Sequence, residues 1–259
     1  MIAHGLTDVG CIRTNNQDAF FAQTSPMGSL ANLFVVADGM GGHLAGEVAS
    51  SQAVSAFSDY LRSNQHSPDG LLDFLVAAAQ AANTHVFQQS LANPEFKGMG
   101  TTFTALTTIG ERGYVAHVGD SRLYQLREQE FIQITQDHSY VDALVRAGEL
   151  TPEQAQNHPR KNTLTRALGT ETDTKIDGYL VNLKPGDYLL LCSDGLSNML
   201  PDDYIRSAIQ ASDNVETTVI ALVEAANANG GVDNITCILI KIEESDDESD
   251  SAKAERNED

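Results

Sequence analysis

Five aspartates carry the chemistry that this sequence offers. Asp38 closes the run Leu33-Phe34-Val35-Val36-Ala37-Asp38-Gly39, and Asp194 closes Leu189-Leu190-Leu191-Cys192-Ser193-Asp194-Gly195. Asp120 follows Tyr114-Val115-Ala116-His117-Val118-Gly119, Asp233 opens Asp233-Asn234-Ile235-Thr236-Cys237, and Asp18 ends Arg13-Thr14-Asn15-Asn16-Gln17-Asp18 just ahead of Phe20-Phe21. Any one Asp-Gly after an apolar run is, taken alone, a turn. Several carboxylates brought together at strand ends repel one another, and the cluster is tolerable only if cations neutralise it. All-oxygen donors favour hard ions, Mg²⁺ or Mn²⁺, over zinc. No His-Glu-x-x-His, Cys/His zinc spacing or EF-hand loop competes. Gly39, Gly41 and Gly42 let the backbone come close to an ion, so the Gly39 carbonyl can serve as a ligand. Two hard ions sharing a carboxylate would lie about 3.5–4 Å apart and could activate a bridging water for in-line attack on phosphorus. Arg13 has two readings, a bidentate clamp for a phosphate dianion or a surface ion pair.

These acids need a scaffold whose strand ends converge. Short β-branched or aromatic runs at 20–21, 33–37, 101–109, 114–118, 123–126, 131–134, 188–192 and 235–242 have strand length and are bounded by Gly, Asp or charged pairs. One helical stretch places Ala49, Ala53, Ala56, Phe57, Tyr60 and Leu61 on a single face, and a second repeats Leu72, Leu75, Ala79, Ala82 and Val86. A further helical pair is expected around 205–209 and 215–226, with Asp213 and Glu216 as cap and third helical residue and Gly230-Gly231 as the stop. Residues 138–170 read as a small helical insertion: Ser139 to Glu149 ends at Gly148, and Thr151-Pro152-Glu153-Gln154 is a capping box with Pro at the first helical position. Consecutive hairpin-like strands without regular strand–helix alternation imply antiparallel sheets, hence an α+β fold with sheets in the middle and helices outside.

Composition excludes several function classes. Lys and Arg total 16 against 36 Asp and Glu, for a formal charge of −20 over 259 residues. That balance argues against a nucleic-acid surface or an anionic-membrane binder. No apolar stretch approaches the roughly 20 residues of a membrane helix, and no basic segment followed by an apolar run marks a signal peptide, so a cytoplasmic location is expected. Cys11, Cys192 and Cys237 form no Cys-x-x-Cys and read as reduced thiols. From Glu243 to Asp259 there are nine acids and two bases with Ser spacers, which implies a disordered acidic tail, 243–259, behind one folded domain, 1–242.

The chain resembles the protein phosphatase 2C family of metal-dependent Ser/Thr phosphatases, in their compact bacterial form. The residues that carry the resemblance are Arg13-x-x-Asn16-Gln17-Asp18, Val36-Ala37-Asp38-Gly39-Met40-Gly41-Gly42-His43, Gly100-Thr101-Thr102, Val118-Gly119-Asp120-Ser121-Arg122, Ser193-Asp194-Gly195 and Asp233-Asn234-Ile235-Thr236. They occur in the family's order across nearly the whole folded chain. The resemblance implies a four-layer α-β-β-α sandwich, two central antiparallel sheets flanked by helix pairs, with residues 138–170 as a flap over the site. It implies two Mn²⁺ or Mg²⁺ ions bridged by Asp38, with the Gly39 carbonyl on one and Asp194 and Asp233 on the other, and a third ion between Asp120 and Asp194. Asp18 would hold ion-bound waters, with Gln17 and Asn234 behind the ligands, and Arg13 would bind the phosphate. Three positions depart from animal members: Met40 stands where they have a His proposed to protonate the leaving alkoxide, Asn198 where they have another metal-site Asp, and Gln17 where they have Glu. A thioether cannot donate a proton, which leaves an ion-bound water, or less directly His43, as the acid.

The function so implied is metal-dependent hydrolysis of phosphoserine and phosphothreonine in proteins, without a covalent intermediate and reversing a cognate Ser/Thr kinase in a bacterium. The partners are phosphorylated proteins, with no nucleic acid and no membrane, and the chain is expected to act as a monomer. The alternative is a catalytically weak metal-binding module that recognises phosphoproteins. Loss of site carboxylates would mark it, and Asp18, Asp38, Asp120, Asp194 and Asp233 are all present. Arg146, Arg160, Lys161 and Arg166 add basic charge to the insertion, where they either attract phosphorylated loops or are ordinary surface residues.

Overall fold

Alternation along the apolar strands decides which layer each side chain enters. In β3 (Leu33–Met40), Leu33, Val35 and Ala37 pack against helices, whereas Phe34 and Val36 face a second sheet. The computed structural model describes residues 1–42, 44–67 and 69–243. Before β3 come β1 (Ile2–Asp8) and β2 (Asp18–Gln23), and after it α1 (Ala45–Ser63) and α2 (Leu71–Ala92). The chain continues through β4 (Gly100–Thr101), β5 (Phe103–Ile109), β6 (Arg112–Val118), β7 (Arg122–Arg127) and β8 (Glu130–Gln133). Two short helices, α3 (Tyr140–Arg146) and α4 (Pro152–Gln156), precede β9 (Asp177–Asn182) and β10 (Tyr188–Cys192). The last elements are α5 (Asp194–Ser197), α6 (Asp202–Gln210), α7 (Val215–Ala228) and β11 (Ile235–Lys241).

The strands form two antiparallel sheets. One has the order β1-β11-β10-β7-β8, the other β2-β3-β5-β6-β9, with β4 paired to β3. Helices α1 and α2 cover the second sheet through Ala49, Ala53, Phe57, Leu75, Ala79 and Ala82, while α6 and α7 cover the first through Ile205, Ile209, Val219 and Leu222. Between the sheets lie Phe34, Val36, Leu106, Leu123, Leu191 and Ile238, all without solvent exposure. Each such aliphatic or aromatic side chain stabilises the sandwich by about 1.5–3 kcal/mol. The α-β-β-α sandwich expected from the sequence is therefore the architecture found. Among the described residues no helix is long and apolar enough to cross a membrane.

Several local expectations shift. The run 101–109 divides into β4 and β5 at Thr102, whose hydroxyl turns to the neighbouring strand ends. Strands β1 and β9 have no counterpart among the expected runs: β1 contains Gly5, where a Cβ would meet the Phe20 ring at 2.8 Å, and its polar residues hide the pattern. The cap of α7 is Asn214, which accepts from Glu216 N and Thr217 N at 2.9 and 3.1 Å, not Asp213. Asp213 instead accepts from Lys241 Nζ at 2.9 Å. The α7 exit does use Gly230 and Gly231, with φ of +124° and +49°. In the insertion, Ser139 caps α3, and Thr151 and Gln154 form the reciprocal capping box of α4 with Pro152 in its first turn. His43 and the tail from residue 244 lie outside the described residues; Glu243 accepts from the Met1 amino group at 2.7 Å.

Candidate active site

The same alternation that sends Phe34 and Val36 between the sheets sends Asp38 there as well. In β11, Ile238 and Ile240 point inward and so does Thr236; in β10, Leu189 and Leu191 point inward and Ser193 continues the series. Asp18 is the cross-strand partner of Asp38 in the β2–β3 ladder. One end of the inter-sheet core thus changes from aliphatic to polar within a single strand step, and the carboxylates converge there.

Asp18 is held most tightly. Ser193 Oγ and Thr236 Oγ1 donate to its Oδ2 at 2.8 and 2.6 Å, and Thr236 also contacts Thr7 Oγ1 at 2.7 Å. Its Oδ1 is buried and has no hydrogen-bond partner, and Asp194 Oδ1 is in the same condition. Asp194 begins α5, and Asn198 one turn later donates to its Oδ2 at 3.0 Å. Asp38 N donates to Thr102 Oγ1 at 2.8 Å, and Thr102 meets Ser121 Oγ at 2.7 Å, linking β3 to the loop that carries Asp120. Asn234 knits the N-terminal loop to Asp233: its Nδ2 donates to Val9 O and Asn15 O, each at 2.9 Å, and its Oδ1 accepts from Gln17 N at 2.8 Å.

Burial and mutual repulsion push these acids toward their neutral forms. Asp18 rises to about 7, first through burial and then through Asp194 and Asp233, against the two hydroxyl hydrogen bonds. Asp38 rises well above the usual carboxylate range, through burial and then Asp18, Asp194, Asp120 and Asp233. Asp194 rises to about 6 through burial and Asp233, and Asp120 rises through burial, Asp194 and Asp137. Asp18, Asp38, Asp120 and Asp194 are each raised in part by neighbouring acids of the cluster and so count as one site.

The donor set fits hard divalent cations: it is all oxygen, it includes two buried oxygens that nothing satisfies, and its acids are unfavourable as anions without positive charge. Gly39 sits in a cradle that admits no side chain, since a Cβ would meet Gly46 O at 2.0 Å and Gln17 O at 2.6 Å. Gly46 is equally constrained, because its own Cβ would fall 2.7 Å from the Gly39 carbonyl oxygen, the atom expected to face an ion. Among the described residues no three His, Cys, Asp or Glu side chains surround a single point. Asp194 and Asp38 share a side-chain hydrogen bond, and Asp233 is turned to Arg13, whose Nη2 donates to Asp233 Oδ2 at 2.8 Å. Arg13 thus adopts the ion-pair reading in this structure, although at 50 % exposure the pair is exchangeable.

A cleft of about 840 Å³ opens from this centre, with Asp120 and Asp194 in its lining and Val141 and Val145 of α3, Ala155 of α4 and Met199 on its walls. Of the four basic residues in the insertion, Lys161 lines the cleft. The others are engaged: Arg146 with Asp142 at 2.8 Å, Arg166 with Asp177 at 3.0 Å, and Arg160 over the Tyr140 ring at 3.8 Å. Of the two readings open for these four residues, attraction of phosphorylated loops is thus favoured at Lys161 and surface pairing at the other three. Met40 ends β3, and Cys192 is fully buried with its thiol raised by burial, which suits neither a nucleophile nor an acid. Sequence reasoning gave no role to Ser193, Thr236, Thr102 or Ser121; strand parity from Leu189, Leu191, Ile238 and Ile240 was the available signal for the first two.

The protein phosphatase 2C family model matches residues 13–239 of this chain. The protein phosphatase PhpP of Streptococcus pneumoniae is 38% identical over 244 residues, covering 94% of this chain and 98% of that protein. The crystal structure of the Mycobacterium tuberculosis serine/threonine phosphatase PstP is similar with a TM-score of 0.85 at 37% identity, covering 94% of this chain and 99% of that one. A structure of the catalytic domain of PstP in complex with two manganese ions is similar with a TM-score of 0.83 at 37% identity, covering 94% and 98%.

Proposed function

The chain belongs to the protein phosphatase 2C family and is a protein-serine/threonine phosphatase, and from that premise we propose how its residues perform the hydrolysis. Its substrates are phosphorylated proteins, and it depends on manganese or magnesium, as the two ions of the PstP structure indicate. The finer assignments are our reading. Asp38, Asp194, Asp233 and the Gly39 carbonyl hold two ions, and Asp120 with Asp194 holds a third. Bound there, such ions supply Lewis-acid charge for the phosphoryl oxygens and lower the pKa of water for in-line attack. The observation that supports this reading is the set of raised carboxylates with unsatisfied buried oxygens at one end of the inter-sheet core.

The chain's own groups then divide the work. Arg13 releases Asp233 and turns its guanidinium to the substrate phosphate, for which its planar fork is suited. Asp18, oriented by Ser193 and Thr236, keeps one free oxygen toward the centre, where it orients water and accepts a proton. Gln17 and Asn234 fix the loop between them, and Asn198 fixes Asp194. Residues 1–242 form the catalytic domain, 138–170 its flap, and 243–259 an acidic tail. The physiological setting is a bacterial cytoplasm, where a monomer reverses a cognate Ser/Thr kinase and touches neither nucleic acid nor membrane.

Hydrolysis of a phosphothreonine peptide and an aryl phosphate in Mn²⁺, set beside a phosphotyrosine peptide, tests this. EDTA and Asp38→Ala should each abolish turnover, and calorimetry should show Mn²⁺ binding lost with Asp38. Full activity in chelated enzyme would sink the proposal.

A further inference from the structure

Two buried histidines outside the acid cluster form the link between the flap and Asp120. His117, in β6, and His138, at the mouth of the insertion, are 0 % and 1 % exposed, with ring centroids 4.9 Å apart. His117 Nε2 faces Gln136 O at 3.0 Å, a carbonyl that can only accept, so Nε2 carries the proton and Nδ1 accepts from Thr104 Oγ1 at 2.9 Å. His138 is fixed by the same logic. Gly119 N donates to its Nδ1 at 3.1 Å, so its proton is on Nε2, which donates to Asp177 Oδ2 at 3.0 Å. Both imidazoles are neutral: burial pushes His117 down to about 3, and burial with the Arg166 charge lowers His138.

His138 holds Gly119 by both of its backbone polar groups, because its own N–H donates to Gly119 O at 2.7 Å. Gly119 has φ of +110°, a conformation L residues rarely adopt, and a Cβ there would meet Thr102 at 2.6 Å. The next residue is Asp120. On the flap side, Asp177 binds His138, takes Arg166 Nη1 and Nη2 at 3.0 and 3.2 Å, and meets Lys175 Nζ at 3.3 Å. Thr165 N donates to His138 O at 2.8 Å. The insertion is therefore tied at one buried residue, His138, whose backbone carbonyl takes Thr165 and whose side chain joins Asp177 to the peptide leading to Asp120.

We propose that His138 is a positioning residue: its Nδ1 fixes the Gly119–Asp120 peptide, and its Nε2 ties that peptide to the base of the flap through Asp177. The ion-binding consequence rests on the reading of Asp120 as a ligand; the backbone consequence does not. An Asn side chain places an acceptor near the Nδ1 position and cannot reach Asp177, whereas Gln places a donor near the Nε2 position and leaves Gly119 N–H unpaired. Leu removes both. The two bonds can thus be cut separately.

The experiment measures Gly119 amide exchange by NMR in chelated protein and stepwise Mn²⁺ binding by calorimetry, for wild type, His138→Asn, His138→Gln, His138→Leu and Asp120→Asn. His138→Asn should keep Gly119 protected and Mn²⁺ affinities within about twofold. His138→Gln should lose the protection and weaken the weakest Mn²⁺ step by about three- to tenfold, the worth of one hydrogen bond, and His138→Leu should match it if folded. Asp120→Asn should delete that step and leave Gly119 protected. Unchanged Gly119 exchange in His138→Gln, or equal losses in His138→Asn and His138→Gln, would overturn the role of Nδ1. Lost protection without weaker Mn²⁺ binding, when Asp120→Asn does delete the step, would overturn its effect on the site. If Asp120→Asn deletes no step, the ligand reading of Asp120 fails and the Gly119 exchange alone decides for or against His138.

Discussion

Replacing Asp18 by Asn should make the chelated protein more stable than wild type as the pH is raised, and the size of the effect follows from its surroundings. Asp18 is 9 % exposed, and its carboxyl is raised from 3.8 to about 7 by burial and by Asp194 and Asp233. A group whose folded pKa lies above its unfolded value stabilises the fold below the unfolded pKa, and that contribution is lost as pH rises through the folded one. The window is therefore pH 4 to 7. Integrating the two titrations from pH 5 to pH 8 gives a wild-type loss of about 2.5 kcal/mol from this residue. Asn keeps an oxygen for Ser193 and Thr236 and carries no charge, so the variant escapes the loss. His117 and His138 also titrate differently on unfolding but are common to both proteins and cancel in the difference, whereas Asp38, which Asp18 helps to raise, is relieved in the variant and moves the difference in the same direction. The carboxyls held low by ion pairs, such as Asp177 beside Arg166, act below pH 4. Thermal unfolding of both proteins in EDTA at pH 5, 6, 7 and 8 should show the melting-temperature difference moving toward the variant by about 5–10 °C, at roughly 2–4 °C per kcal/mol for a chain of this size. Saturating Mn²⁺ should close the gap by neutralising the wild-type charge, while the variant's kcat falls. A difference that stays constant from pH 5 to pH 8 would refute the argument that Asp18 is desolvated and crowded by like charge.

Arg13→Ala should raise KM for phosphopeptide and aryl phosphate alike by about tenfold or more, yet change stability by less than about 1 kcal/mol, because its pair with Asp233 is exposed; initial rates and urea unfolding measure the two. Gly39→Ala should destabilise the protein by about 3 kcal/mol or more, since backbone atoms of Gly46 and Gln17 occupy the Cβ position and cannot rotate away; chemical unfolding reads this directly. Lys161→Ala should raise KM for a phosphoprotein more than for an aryl phosphate, and Arg146→Ala should not, because Lys161 lines the cleft while Arg146 is spent on Asp142.

What could be read from the sequence was what local pattern encodes. The runs 33–37 and 188–192 are apolar on both faces, as strands sandwiched between helices and a second sheet must be; the first carries Asp38 in the register that its own alternation dictates, and the second carries Ser193 there and passes Asp194 to the first turn of α5. Caps followed the same rule where side chain and backbone are neighbours, as at Thr151. Features decided by distant partners were not legible. Strand β1 is a strand because β11 supplies its ladder, and Asp213 loses the cap to Asn214 because Lys241, remote in sequence, claims it. The cations of the insertion looked equivalent until Asp142, Asp177 and Tyr140 engaged three of them. The acid site lies between these cases. Its carboxylates are announced by strand ends, but the groups that orient them, Ser193 and Thr236 on Asp18 and Thr102 behind Asp38, are small hydroxyls that become informative only when two sheets face each other. A buried carboxylate cluster is specified less by the acids themselves than by the parity of the strands that deliver them, so shifting β3 by one residue would turn Asp38 toward α1 and α2 and dissolve the site without changing a single charge.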